Sequence, residues 1–126
     1  MECVTLISGG TEMSKILVVD HAPSPGGRYK TDGPFSGEWF REQVLRPALA
    51  EAIQTGEKLT VELDGTSGYG SSFLEEAFGG LIRTRAFEPE KVRENLIISA
   101  KNRLYAPYKI LTERYIRDAR PHSVAA

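Results

Sequence analysis

A buried strand that runs into a helix through a glycine-rich turn leaves a chain few folds to choose from, and residues 58–85 spell such a unit, KLTVELDGTSGYGSSFLEEAFGGLIRTR. The β-branched run from Lys58 to Leu63 predicts the strand, Asp64 to Gly70 the turn, and the serine pair Ser71 and Ser72 the start of the helix. Along that helix Phe73, Leu74, Ala77, Phe78, Leu81 and Ile82 recur one turn apart, so one apolar stripe faces a core. The opposite face carries Glu75, Glu76, Gly79, Gly80 and Arg83. A helical glycine costs about 1 kcal/mol relative to alanine, so the adjacent pair needs a reason. Either the helix loosens there or lies under another part of its own chain, or the glycines let a partner's backbone come close. Ser72 followed by Glu75 matches a capping box, which leaves Ser71 just outside the helix. An added phosphate at Ser71 would meet the positive end of the helix dipole.

The order strand, short turn, serine pair and helix resembles the STAS domains, the anti-sigma-factor antagonist modules of bacterial partner-switching systems. More narrowly, FREQVLRPAL with GYGSSFLEEAFGGLIR, together with SGEWFRE leading into the first long helix, is similar to a bacterial STAS-like family of unknown function. The resemblance runs from Lys15 to Asp118 and implies an α/β fold, a small, mostly parallel sheet with helices packed largely on one face. In the antagonists the turn reads Asp-Ser-Ser-Gly, and its first serine accepts phosphate from an ATPase related to histidine kinases. Carried over residue by residue, that serine is Ser71 and its neighbour Ser72, while the aspartate position is Gly70 and the glycine position Phe73. The implied partner is a protein, a histidine-kinase-like ATPase.

A chain of 126 residues fits a single domain over residues 1–126 with a core of its own. A formal net charge of −1 gives no broad attraction to nucleic acid or to an anionic membrane. One cysteine, Cys3, makes no internal disulfide and suits the reducing cytoplasm. No apolar run approaches the roughly 18 residues of a membrane span, and Met1 to Leu6 lacks the pattern of a secretory signal. No cofactor is implied.

In chain order, Val4 to Ile7 predicts a weak strand, an antiparallel edge for the sheet, and Lys15 to Val19 a firmer one. Asp20 to Gly37 is dense in proline and glycine and predicts a long loop. Its Arg28 and Lys30 are either solvated or aimed at an acidic partner or a phosphate, including one on Ser71. Ser36 is expected to cap a helix to Thr55 that buries Phe40, Val44, Ala48, Leu49, Ala52 and Ile53, bends at Pro47 and ends at Gly56. Trp39 suits the core boundary or a partner contact. Glu88 to Glu94 predicts a short helix opened by Pro89, Leu96 to Ser99 a strand, Pro107 to Asp118 a last helix, and Pro121 to Ala126 a frayed tail.

Enzymatic machinery is hard to find in this pattern. His21 and His122 stand alone, and no G-x-S-x-G elbow or metal-ligand spacing is present. Asp64 suits a strand-end residue bonding its own turn amides. Two readings follow. One is a non-catalytic regulatory module docking a partner through the surface from Gly70 to Arg83, with Glu76, Gly79 and Gly80 in the contact. On that reading Gly80→Leu removes binding and spares the fold. The other is a small-ligand or nucleotide site at Asp64, Gly68, Gly70, Ser71 and Ser72, closed by Arg28, although the third glycine of a dinucleotide fingerprint is replaced by Phe73. A hydrolase using Ser71 is a weaker third.

Overall fold

The computed structural model describes residues 14–122. The strand expected at Val4 to Ile7 lies outside them. β1 (Ser14–Leu17) is followed by one helical turn, Val18–His21, so the strand ends two residues before the expected Val19. A loop with a 3₁₀ turn at Lys30–Asp32 leads to helix α1, residues 37–55, then β2 (Leu59–Glu62) and helix α2, residues 71–83. A short helix α3 (Pro89–Asn95), β3 (Leu96–Ser99) and the long helix α4 (Ala106–Asp118) complete the order.

The three strands are parallel in the order β1-β2-β3, with Ile16 beside Val61 and Val61 beside Ile98. Alternation along the strands sends Leu59, Val61, Leu96 and Ile98 to a face buried under the helices. The other face carries Lys15, Leu17, Thr60, Glu62 and Ile97, with Leu17 and Ile97 exposed. Glu62 is nearly covered between Lys15 at 3.3 Å and Lys101 at 3.8 Å. This is the α/β plan expected from the sequence: a small parallel sheet with its helices gathered on one face.

Ser36 caps α1 as expected, its Oγ accepting from the Trp39 amide at 3.1 Å, and Gly56 ends the helix in the left-handed region. Between them the backbone widens into a π-helical segment, Arg41–Leu45, with the Arg46 amide donating to the carbonyl of Arg41. One extra residue in that turn shifts the phase of the buried stripe. Phe40, Leu45, Leu49 and Ala52 are fully buried, whereas Val44, Ala48 and Ile53, expected in the core, are only partly covered. Pro47 stands in the first turn of the α-helical stretch that follows, Arg46–Thr55. A second π segment, Glu75–Gly79, lies within α2 beside the first half of α1. At their crossing Gly37 comes so close that a Cβ there would stand 2.6 Å from the Phe73 carbonyl oxygen.

Candidate functional site

The C-terminal ends of the strands meet at the turn between β2 and α2. Asp64 Oδ2 accepts from the amides of Lys101 at 3.1 Å and Asn102 at 3.0 Å. The expectation that Asp64 serves its own turn is therefore corrected: its carboxylate ties the exit of β2 to the exit of β3, because the parallel register brings those two ends together. On the β1 side the Ser67 amide donates to the Pro23 carbonyl at 3.0 Å.

Beneath the turn lies a group of tyrosines that the sequence reading missed. Tyr69 donates to the Leu63 carbonyl at 2.7 Å, and Tyr105 donates to the Thr66 carbonyl. The rings of Tyr69 and Tyr108 meet edge-on at 5.2 Å between centroids. Gly68, at φ 118°, passes over the Tyr108 hydroxyl, which a Cβ would approach to 3.2 Å. Burial holds the Tyr69 phenol well above its ordinary value, so it stays neutral and serves as a fixed donor. The turn is thus clamped on three sides while Gly70 stays open, with nothing within 4 Å of an added Cβ.

Gly70 itself is the N-cap of α2, in extended conformation, and no side chain caps the helix. Ser71 is the first helical residue and Ser72 the second, both exposed. The expected capping box between Ser72 and Glu75 is absent. Glu75 points away from the helix start and pairs with Arg28 and Arg83, because a carboxylate gains more from two guanidinium groups than from one neutral amide. The amides of Ser71, Ser72 and Phe73 consequently have no acceptor within the helix.

The other half of α2 is built in the opposite way. Gly79 and Gly80, on an open face in the docking reading, are buried, as in the alternative that the helix lies under another part of its own chain. A Cβ on Gly80 would stand 2.5 Å from Arg41 Nη1, and one on Gly79 would stand 3.0 Å from Glu75 Oε2. The chain's own side chains occupy the space that the glycines leave. Arg41 Nη1 reaches the Glu76 carboxylate at 2.6 Å and the Glu76 carbonyl at 2.9 Å, and both side chains are almost wholly buried. Arg28 and Arg83 close over Glu76 from outside at 3.1 and 2.8 Å, and Glu42 meets Arg41 at 2.8 Å.

Burial alone would raise the Glu76 carboxyl, but hydrogen bonds from Arg41 and Arg28 and the nearby charge of Arg83 hold it below the ordinary range. Glu42 is lowered chiefly by its bond from Arg41. A cleft of about 440 Å³ beside Arg28, Tyr29, Arg83 and His122 opens onto this network, yet both arginines already face carboxylates.

The ten residues singled out in the sequence therefore fall into two groups. Asp64, Gly68, Gly70, Ser71 and Ser72 share the strand-end turn. Arg28, Glu76 and Arg83 belong to an internal ion-pair network that Gly79 and Gly80 make room for, and Arg28 is spent on Glu75 and Glu76 there rather than on the turn or Ser71. Lys30 is exposed, and its amide donates to Glu38. His122, expected in a frayed tail, is tied by its amide to the Arg83 carbonyl at 2.9 Å and by its carbonyl to Arg85. Arg41 went unnoticed because an arginine next to Phe40 reads as the edge of an apolar stripe. Its one visible signal was its place four residues after Gly37 and four before Leu45.

Among the described residues no cluster of three His, Cys, Asp or Glu could hold a metal ion, and no helix is long and apolar enough to cross a membrane. Comparison with known families gives a match to the STAS-like domain of unknown function (DUF4325) over residues 36–103, more than half of the chain. The chain belongs to that STAS-like family. The match takes in α1, β2, the serine turn, α2, α3 and β3 of this STAS-like domain. No curated protein and no solved structure matches the chain.

Proposed function

We propose that this STAS-like domain is a non-catalytic regulatory module that docks a partner protein at the Gly70 to Ser72 end of α2, with Ser71 as a phosphoacceptor. The observation that carries the reading is a pair of exposed serines on an uncapped helix start, held still by Asp64, Tyr69 and Tyr105 at the C-terminal ends of parallel strands. The partner is a histidine-kinase-like ATPase of the cytoplasm. In the transfer, Ser71 Oγ forms a bond to the γ-phosphorus of ATP as the bond from that phosphorus to ADP breaks, and the hydroxyl proton passes to a base of the ATPase. The product adds negative charge at the uncapped helix start, where the helix dipole favours it.

The docking surface is narrower than the sequence suggested. It keeps the serines and Gly70 and gives up Glu76, Gly79, Gly80 and Arg28, which the chain spends on itself. The test is incubation with candidate ATPases and magnesium ATP, followed by mass spectrometry of wild type, Ser71→Ala and Ser72→Ala. One added phosphate, lost in Ser71→Ala and retained in Ser72→Ala, is expected. An unmodified protein that also forms no complex overturns the reading.

A further inference from the structure

Among the described residues the sheet ends at β3, and this edge is unlike the one at β1. β1 reads Ser-Lys-Ile-Leu and carries the charged Lys15, whereas β3 reads Leu-Ile-Ile-Ser, with no charge and no proline. Edge strands without such blocking residues are templates for further pairing. The Leu63 amide donates to the Ser99 carbonyl at 2.9 Å, and alternation along a parallel ladder then turns Ile97 and Ser99 toward β2 and Leu96 and Ile98 outward. The Leu96 amide is already used by the Val92 carbonyl of α3. This leaves the Leu96 carbonyl and both polar groups of Ile98 without a strand partner among the described residues.

A cleft of about 410 Å³ runs along this edge, floored by Leu96, Ile98 and Ile116 and walled by Glu113 and Arg117 of α4. Ile97, exposed at 37%, borders it from the open face of the sheet.

We propose that the occupant is a second copy of this chain, joined through antiparallel pairing of the two β3 strands about a two-fold axis at Ile98. In that register each Ile98 amide donates to the other copy's Ile98 carbonyl, and each Leu96 carbonyl accepts from the other copy's Ala100 amide. Two outward groups are left out of the ladder: the Leu96 amide, which has its acceptor already, and the Ala100 carbonyl that it would have met. Charge suits the same occupant. Glu113 and Arg117 stand one helical turn apart on the wall, paired on their own helix with Lys109 at 3.1 Å and Asp118 at 3.1 Å, while Arg93 is held by the carbonyls of Ile116, Arg117 and Ala119. A two-fold axis reverses the order of Glu113 and Arg117, so each carboxylate can exchange its partner for the other copy's guanidinium. The result is one six-stranded sheet, with the serine turn of each copy outside the contact. This surface is independent of the phosphoacceptor reading.

Sedimentation equilibrium of the full chain over a concentration series tests the pairing. Wild type is expected to dimerise. Ile97→Lys and Glu113→Arg should each weaken the dimer about tenfold with an unchanged circular dichroism spectrum. The double change Glu113→Arg with Arg117→Glu should restore it. Since Ile97 is partly exposed and Glu113 and Arg117 lie on the surface, these changes spare the core. A wild type that stays monomeric throughout the series overturns the proposal, as does a dimer indifferent to all three variants.

Discussion

The two ends of α2 belong to one continuous helix and are built on opposite terms. At its start Gly70 caps nothing with a side chain, Ser71 and Ser72 stand exposed, and three amides have no acceptor inside the helix. In its second half every unusual residue is answered from within: Gly80 makes room for Arg41, and Glu76 takes bonds from three arginines. Glycines and serines both look like functional residues in such a sequence. The difference between the two ends shows that residues already satisfied by their own chain hold the fold, and that groups left open are the ones available to a partner.

The harshest way to break this contrast is Gly80→Leu. The new side chain would displace the Arg41 guanidinium from Glu76, and disrupting a buried ion pair costs about 3–5 kcal/mol. Urea denaturation should show a midpoint lowered accordingly, with any loss of partner binding following from the loss of fold. A Gly80→Leu protein of wild-type stability would return the glycine face to the list of docking surfaces.

Glu76→Gln sharpens the contrast through pH. Glu76 and Glu42 have folded values below their ordinary 4.5, so their ionic contribution is complete above that value and is lost as pH falls through the lowered folded values. Wild type should therefore lose stability in acid. Glu76→Gln should cost about 2–3 kcal/mol at neutral pH, the worth of hydrogen bonds to a charged group, and give a flatter acid profile. A wild-type stability that does not change on acidification would sink this account of the network.

Arg28→Ala acts at the rim and should do less. Its side chain is 31% exposed and Glu76 keeps Arg41 and Arg83, so the loss should be about 1 kcal/mol and shrink in high salt. A loss as large as that of Gly80→Leu would mean that the Arg28 loop, and not the crossing of α1 with α2, holds the glycine face closed.

What the sequence revealed and what it hid divide along distance in the chain. β3 was legible at Leu96 to Ser99, and so was the Ser36 cap, because continuous apolar runs and capping hydroxyls are local signals. The start of α2 was legible at the serine pair to within two residues, but its cap was not: Gly70 stands where Ser72 was expected, and the choice of Glu75 depends on Arg28, 47 residues earlier. The glycine pair stayed between two readings for the same reason, since Arg41 reaches Glu76 across 35 residues. The π segments hid themselves by altering the very period used to read helices, which is why Leu45 was buried where Val44 was expected.

The smallest expected effect bears most directly on the open end. If Ser71 were a cap, Ser71→Ala would cost about 1 kcal/mol. Here the N-cap is Gly70 and the exposed Ser71 hydroxyl caps nothing, so Ser71→Ala should lie within about 0.5 kcal/mol of wild type in thermal melts. Ser71→Asp places a negative charge in the first helical turn and should gain about 0.5 kcal/mol at low ionic strength, a gain that fades as salt screens the dipole. A near-neutral alanine together with a salt-sensitive aspartate would mean that the fold does not need this hydroxyl and can bear a charge in its place. Those are the two properties a phosphoacceptor requires, and a costly Ser71→Ala would instead place Ser71 with Gly80 among the residues that the domain keeps for itself.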